Sequence, residues 1–428
     1  MTTTAPPRRA PSRGTTPRRL SASASGSLRG PVSWLRRMES PTTTYYLLIV
    51  ALTVLVAFGL IMVMSASAIV SLAATESAYT VFRGQLMYGA LGAVAVVIAS
   101  RIPPSVWKRL ALPIMIAAIG LQGLVFSPIG ECVGGNCNWI EVAGIRAQPS
   151  EVVKLALALV GASMLAKRRH KLWQLRHVLL PYIVPVAAVA VGLVLYGEDL
   201  GTVLILGSVV GAVLWAAGVK ARYFAAAGGA FAALAAAMVI YSPNRLGRLD
   251  VWLGRDTDPF GAARQSIHGR YALAEGGLIG VGLGRSREKW QWLPEPHNDF
   301  IFAIIGEELG LAGSLLVIGL FILTAYACYR LVLKSDDMFV RLATAGIMGW
   351  IVVQAMINIG SVIGLLPVIG VNLPLVSSGG SSLIMTMVAF GILISFARHE
   401  PDCAAALAAR PRRALIPTRL RQTLRRGA

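Results

Sequence analysis

The chain has 428 residues, of which 55% are hydrophobic and only 14% charged, and its mean hydropathy is +0.65. That composition excludes an ordinary soluble domain and points to a membrane protein. The net charge of +20 is concentrated at the ends: residues 1–40 hold eight Arg against one Glu, and residues 398–428 eight Arg against two acids.

The first forty residues are polar, rich in Pro, Ser, Thr and Arg, and carry no early apolar core, so no cleavable signal peptide is expected. Segments 1–43 and 398–428 hold too few apolar residues to offset chain entropy and are predicted to be disordered basic tails. Beside a membrane helix, such a tail holds the cytoplasmic side and touches anionic lipid rather than nucleic acid.

Apolar runs between charged or Pro/Gly-rich breaks predict an all-α polytopic membrane domain over 44–397. Its ten helices fall at 45–71, 84–100, 110–127, 150–166, 178–197, 200–219, 223–242, 299–328, 342–366 and 376–397. An even count puts both tails on one side. With the tails inside, the inner turns hold thirteen Lys and Arg, among them Arg169, Lys171 and Arg176, whereas the short outer loops hold only Arg83 and Arg146. The bias predicts that both termini are cytoplasmic.

Two outer loops are too long to be simple connections. The first, 128–149, contains ECVGGNCNW. Thiols there meet an oxidising compartment, so Cys132 and Cys137 are expected to form a disulfide closing the turn through Gly134 and Gly135; two free thiols remain the alternative. Cys328 and Cys403 lie at the inner face and are expected to be reduced. No metal-ligand spacing of His and Cys occurs. The second loop, 243–298, is rich in Gly, Arg and Asp.

Charged groups inside membrane helices are costly, so each asks for a partner or a role. Glu151 and Lys154, in QPSEVVK, share a helix face; they form an anchoring ion pair or bind substrate. Asp199, in YGEDLGT, either caps the sixth helix or serves function, with Thr202 one turn on. In LPEPHNDFIFAIIGEELG, Asp299 stands at the membrane edge, Asn298 is a plausible helix cap, and Pro294 and Pro296 stiffen the approach. Glu307 and Glu308 lie roughly 12 Å deeper at 1.5 Å per residue. Successive side chains point about 100° apart, so these two are not expected to face one partner. The preceding loop supplies Arg245, Arg248, Arg255, Arg264, Arg270, Arg285, Arg287 and Lys289, a basic collar suited to a diphosphate. The glycine cluster GGLIGVGLG lacks the flanking strand of a dinucleotide motif and reads as backbone lying close to a ligand or to the bilayer. SSGGSS, 377–382, fits close helix packing at least as well as catalysis.

Taken together, these motifs resemble the SEDS family (shape, elongation, division and sporulation) of FtsW/RodA proteins. The matching pieces are QPSEVVK, EDLGT, YALAEGGLIGVGLGRSREKW, LPEPHNDFIFAIIGEELG and NIGSVIGLLPVIGVNLPLVSSGGSS, in family order from about 45 to 397. The basic N-terminal tail and HNDFIFAIIGEELG look more like the division branch, FtsW, than the elongation branch, RodA. The resemblance implies a ten-helix fold and a peptidoglycan glycosyltransferase acting on lipid II at the outer face, for septal synthesis. A class B penicillin-binding protein and other division proteins are the implied partners, with membrane lipids around them. It places the family's essential Asp on Asp299, its acid and base pair on Glu151 and Lys154, and a further Asp on Asp199. His297, Arg285, Lys289, Gln265, Ser377 and Ser381 join these as candidate substrate-binding residues, with Glu307 and Glu308 structural. The chain departs from the family at Asn138, Glu198, Ser378 and His268.

The implied reaction needs one acid. A glycosidase normally uses two carboxylates because an alcohol leaving group must be protonated, whereas a diphosphate leaves as a stable anion. Asp299 would take the proton of an acceptor 4-hydroxyl, which attacks the donor's anomeric carbon with inversion. Lys154, loop arginines or a divalent cation (Mg or Mn) would stabilise the departing diphosphate. The alternatives are a lipid II transporter and a noncatalytic scaffold for the penicillin-binding protein.

Overall fold

The computed structural model describes residue 2 and residues 40–133, 136–142, 145–168, 179–240 and 243–409. The expected N-terminal tail (residue 2 apart) up to residue 39, the C-terminal tail from residue 410, the turn glycines Gly134 and Gly135, and the inner-loop cations Arg169, Lys171 and Arg176 lie outside the described residues. The chain divides into two compact units, Met1–Ser40 and Pro41–Ala428, and every described helix and strand belongs to the second.

The first helix, α1 (Thr43–Thr75), contains no charged residue and ends where Glu76 takes φ 58°. Helices α2 (Thr80–Ala99) and α3 (Pro104–Leu124) follow. Both start earlier than the apolar pattern implies: Arg83 falls in the first turns of α2, and Lys108 and Arg109 in those of α3. Charged residues in end turns can snorkel to the interface, so the hydropathy break underestimates the helix. Pro104 and Pro149 occupy first helical turns, where a missing N–H costs nothing.

Helix α4 (Pro149–Ala166) is the most enclosed of the apolar spans, with 83% of its window buried. It packs against α3, against α6 (Leu200–Ala216) and against α11 (Met338–Val362). Small residues let the backbones approach: a Cβ on Gly346 would stand 3.0 Å from Ala158 Cβ, and one on Gly349 only 2.5 Å from Ala212 Cβ. The fifth stretch opens as a π-helical segment, Leu179–Ala187, before α5 (Ala188–Tyr196). Pro185 inside it lacks the N–H for an i→i−4 bond, which favours the wider winding. Helix α7 (Ala221–Ile240) completes the first seven. After the second long loop come α10 (Ile301–Lys334), α11, α12 (Gly380–His399) and a short α13 (Pro401–Ala408).

Helices thus occupy all ten expected stretches. Seven of those described are long and apolar enough to cross a membrane, and Tyr182–Tyr196 and Leu200–Ala216 are shorter apolar helices. The fold is mostly helical, with one addition. The first long loop folds into an antiparallel sheet of order β1 (Gly130–Val133), β2 (Asn136–Val142), β3 (Ile145–Ala147). Cys132 faces Cys137 in the β1–β2 register, and the two are disulfide-bonded.

The second loop carries α8 (Pro243–Trp252) and α9 (Arg264–Gly276). It also corrects the expectation of one continuous eighth helix from 299. The helix starts at Ile301 and breaks at Gly310 (φ 67°, ψ −161°). The cause is the glycine cluster, which crosses the backbone at the break. Val281 N donates to Glu307 O (2.9 Å), Gly282 N to Glu308 O (3.0 Å), and Leu311 N to Gly277 O (2.9 Å). A Cβ on Gly276 would stand 1.9 Å from Gly306 O, and one on Gly280 2.3 Å from Glu308 O, so only glycine permits the crossing. The cluster therefore approaches helix backbone.

Candidate active site

Residues 294–300 form turns before α10, and their backbone is held from the facing segment 371–378. Asn358, on α11, donates through Nδ2 to Asp299 O (2.8 Å) and to Val371 O (2.7 Å). Ser377 Oγ donates to Asn298 O (2.7 Å) while accepting from Leu373 N (2.8 Å), and Ser378 N donates to His297 O (2.9 Å). Asn298 does not cap the helix. Its amide donates to the Glu295 carboxylate, and Phe300 precedes the first turn without a side-chain cap bond.

The Asp299 carboxylate is therefore positioned through its backbone; among the described residues it makes no side-chain hydrogen bond. Gly370 (φ 79°) lies beside it. A Cβ there would stand 3.5 Å from Asp299 Oδ2 and 4.0 Å from Arg248 Nη1, so the bare glycine keeps open the space between carboxylate and guanidinium. Burial pushes the Asp299 carboxyl up to about 6; the Glu295 charge adds to this, and Arg248 opposes it. Burial pulls the neighbouring His297 below the usual imidazole range, against the influence of Glu295. Its Nδ1 is enclosed without a hydrogen-bond partner among the described residues. A partly buried acid with raised basicity, beside an arginine and a neutral imidazole, is suited to accepting a proton near neutral pH.

Deeper in the bundle, Lys154 Nζ donates to Glu151 Oε1 (2.8 Å) and to Gln354 Oε1 (3.0 Å), and lies 5.0 Å from the centroid of the Trp350 ring. Lys154 and Glu151 are 1% and 5% exposed, so the pair sits within α4 and α11 rather than on an open surface. Gln354 Nε2 continues to Asn372 O (2.9 Å), which ties this network to the segment that cradles Asp299.

A third cluster lies where α4 and α6 begin. Asp199 caps α6, accepting from Thr202 N (2.8 Å) and Thr202 Oγ1 (2.6 Å). Its Oδ2 also accepts from Gln148 Nε2 (3.3 Å), and Gln148 N donates to Ser381 Oγ (3.2 Å). Asp199 and Ser381 thus meet through Gln148, a residue whose uncharged amide did not stand out in the sequence. Gln85 joins the same segment, donating to Ser377 O and accepting from Gly379 N.

Other expected site residues are placed differently. Lys289, expected among the substrate-binding residues, is 3% exposed, with its ammonium ion-paired to Glu308 Oε1 (2.9 Å). Ser377 is likewise 4% exposed, with its hydroxyl committed to backbone. Arg285 is exposed on the glycine loop, and Gln265 is half-buried at the start of α9. Glu307 and Glu308 do converge on one partner. Ser286 reaches Glu307 Oε2 through Oγ (2.6 Å) and Glu308 Oε1 through N (3.4 Å), because the 286–289 turn wraps over the short segment before the break. The basic collar is thinner than its count: Arg245 pairs with Glu198, Arg255 with Asp250, Arg287 with Glu275, and Lys289 with Glu308. Arg264 donates to the carbonyls of Gln291 and Trp292. His268, a departure from the family pattern, pairs with Glu288 (2.7 Å) and stacks on Trp292.

No group of three or more His, Cys, Asp or Glu side chains able to hold a metal ion occurs among the described residues. The donor set around Asp299 therefore does not build a cation cage, and no chemical step is routed through one.

Comparison with known proteins bears on this geometry. Residues 45–402 match the family model FTSW_RODA_SPOVE, described as cell cycle protein. The chain is 41% identical over 378 residues to the probable peptidoglycan glycosyltransferase FtsW of Mycobacterium tuberculosis, covering 88% of this chain and 71% of that protein. It is 33% identical over 365 residues to stage V sporulation protein E of Bacillus subtilis, covering 85% of this chain and all of that one. Among solved structures, a chain from a study of how a peptidoglycan synthase complex coordinates polymerization and crosslinking matches with TM-score 0.67 and 26% identity, over 83% of this chain and 97% of that one. The rod shape determining protein RodA of Thermus thermophilus shares the fold at TM-score 0.60 and 24% identity, over 83% and 96%.

Proposed function

The chain belongs to the FtsW/RodA/SpoVE family of cell cycle proteins, and from that membership we infer that it is a peptidoglycan glycosyltransferase with Asp299 as its general base. The observation that carries the assignment of the base is local. Asp299 is held by its backbone, its carboxyl is raised to about 6, and an uncrowded gap opens toward Arg248.

In this reading lipid II is both donor and acceptor, bound at the outer face of the cytoplasmic membrane with its tails between helices. Asp299 takes the proton from the acceptor's 4-hydroxyl as that oxygen attacks the donor's anomeric carbon. The new C–O bond forms as the bond to the lipid diphosphate breaks, with inversion, and the diphosphate keeps the electron pair. Arg248 faces the developing charge; a planar guanidinium donates two parallel hydrogen bonds to a phosphate. Lys154 acts at one remove, since its ammonium is enclosed by Glu151, Gln354 and Trp350. A divalent cation would enter as a counter-ion of the substrate's diphosphate, which supplies oxygen ligands that the described residues do not cluster.

The partner is a class B penicillin-binding protein, and the setting is the division septum of a bacterial inner membrane, with both termini cytoplasmic. The relatives named FtsW and the excess of Lys and Arg at the inner turns support this setting. Vesicles containing the purified chain, its partner and lipid II test the activity. Glycan chains made from outer-leaflet substrate are expected; lipid II crossing the bilayer without glycan product contradicts the proposal in favour of transport.

A further inference from the structure

The Cys132–Cys137 bond lies remote from Asp299 in sequence, yet its hairpin leads to the third cluster by a short series of contacts. Cys137 N donates to Gly197 O (2.9 Å), and a Cβ on Gly197 would stand 2.5 Å from Cys137 O and 2.6 Å from Asn138 Oδ1. The strand therefore rests on the turn between α5 and α6. From that turn, Asp199 caps α6 and holds Gln148 Nε2. On its other side, the turn is gripped by Arg245, which donates to Glu198 O (2.6 Å).

The same sheet leads directly into Gln148. Strand β3 ends at Ala147, pairs with Ile140 on β2, and is latched by Arg146 to Glu131 of β1 and Glu141 of β2 (3.1 Å to the latter). Gln148 is thus seated from two sides, by β3 through the chain and by Asp199 through its amide. Both sides trace back to β2, whose register against β1 is interrupted by an irregularity between Glu131 and Cys132. The disulfide closes that end of the ladder, covalently joining β1 to β2 where their register is irregular.

We propose that the Cys132–Cys137 disulfide is a positioning device for the reaction, fixing Gln148 and Asp199 where they seat the substrate. This rests on the proposed function, with Asp199 and Ser381 taken as lipid II-binding residues of that site. Reduction by a dithiol transfers two electrons and two protons: the S–S bond becomes two thiols and the reductant closes into its own disulfide. The loosened hairpin then no longer fixes the 197–199 turn. Substrate binding weakens, while Asp299 keeps its backbone anchor at Asn358 and its neighbour Asn298 keeps the one at Ser377.

The test uses the full chain with its partner, KM and kcat for lipid II polymerisation, and dithiothreitol as reductant. Wild type treated with the dithiol is expected to lose about 10- to 100-fold in kcat/KM, mostly through KM, and to recover on reoxidation. Cys132→Ser/Cys137→Ser should show the same KM untreated and no further response to the dithiol; the acid side of its pH profile stays at the wild-type position. Gln148→Ala is expected to raise KM without adding to the effect of the cysteine pair. Unchanged KM in the double variant, an equal response of that variant to dithiol, or additivity with Gln148→Ala overturns the proposal. Failure of the Asp299 assignment is a separate result, since it is read from kcat of the Asp299 variant with the disulfide intact.

Discussion

Asp299 combines two properties that its proposed role as general base needs: a position held through the backbone and a carboxyl raised to about 6. With the carboxyl at about 6, the base is mostly ionised at neutral pH and becomes protonated as pH falls. The rate is therefore predicted to drop about tenfold per pH unit below about pH 6, as read from a pH profile of kcat/KM. Arg248 opposes the upward shift, so Arg248→Gln is expected to move that limb to higher pH as well as slow the reaction; an unmoved limb removes Arg248 from the site. The same shift has a stability consequence. The folded value lies above the ordinary 3.8, so the folded chain holds this proton more tightly than the unfolded one. The associated stability is full below the unfolded value and is lost as pH rises through about 6. Asp299→Asn removes the buried charge and is predicted to melt no lower than wild type at neutral pH, measured by thermal unfolding of the purified protein.

At the scale of elements, the broken helix α10 connects the base to the bundle. Its first segment follows the turn that holds Asp299 and carries Glu307 and Glu308 at its far end, where the 286–289 turn fastens them. Lys289 Nζ and Ser65 Oγ meet Glu308, and Ser286 Oγ with Arg287 N meets Glu307. Removing one partner of a buried ion pair typically costs about 3–5 kcal/mol, and Lys289→Met is predicted to destabilise on that order. Adding Glu308→Gln should restore much of the loss, because it removes the stranded charge; thermal melts of the single and double variants read the difference. Gly280→Ala is predicted to prevent correct folding, since its Cβ would fall 2.3 Å from Glu308 O. A monodisperse, fully active Gly280→Ala protein would contradict the crossing geometry.

Helix positions and the Asp199 cap were legible in the sequence because hydropathy and charge placement are local signals, and the same signals singled out Asp299 as the candidate base. The break at Gly310 was not, because it depends on a segment thirty residues earlier in the chain lying across it. The fate of Lys289 and Ser377 was hidden for the same reason: a lysine or a serine near a motif looks the same whether it faces substrate or a buried carbonyl. Gln354 and Asn358 did carry a signal, since amides inside an apolar helix need partners as charges do.

Across the described helices, α4 and α12 are the most enclosed apolar spans. The segment 371–378 joins two polar groups: Asn358, which also donates to Asp299 O, through Val371 O, and Gln354, which accepts from Lys154, through Asn372 O. Asp199, Gln148 and Ser381 form a third group at the starts of α6, α4 and α12. In the proposed reading, the bundle supplies the walls for lipid chains and the segments around Asp299 supply the polar chemistry. The role of Asp299 as base is decided by polymerisation of lipid II by the purified chain with its penicillin-binding partner, wild type against Asp299→Asn, measured from about pH 5 to about pH 8. Wild type is predicted to make glycan chains at a rate that falls below about pH 6, and the Asn variant to lose at least about 100-fold at every pH in a protein that still folds. Glycan chains made by Asp299→Asn at the wild-type rate would contradict that role.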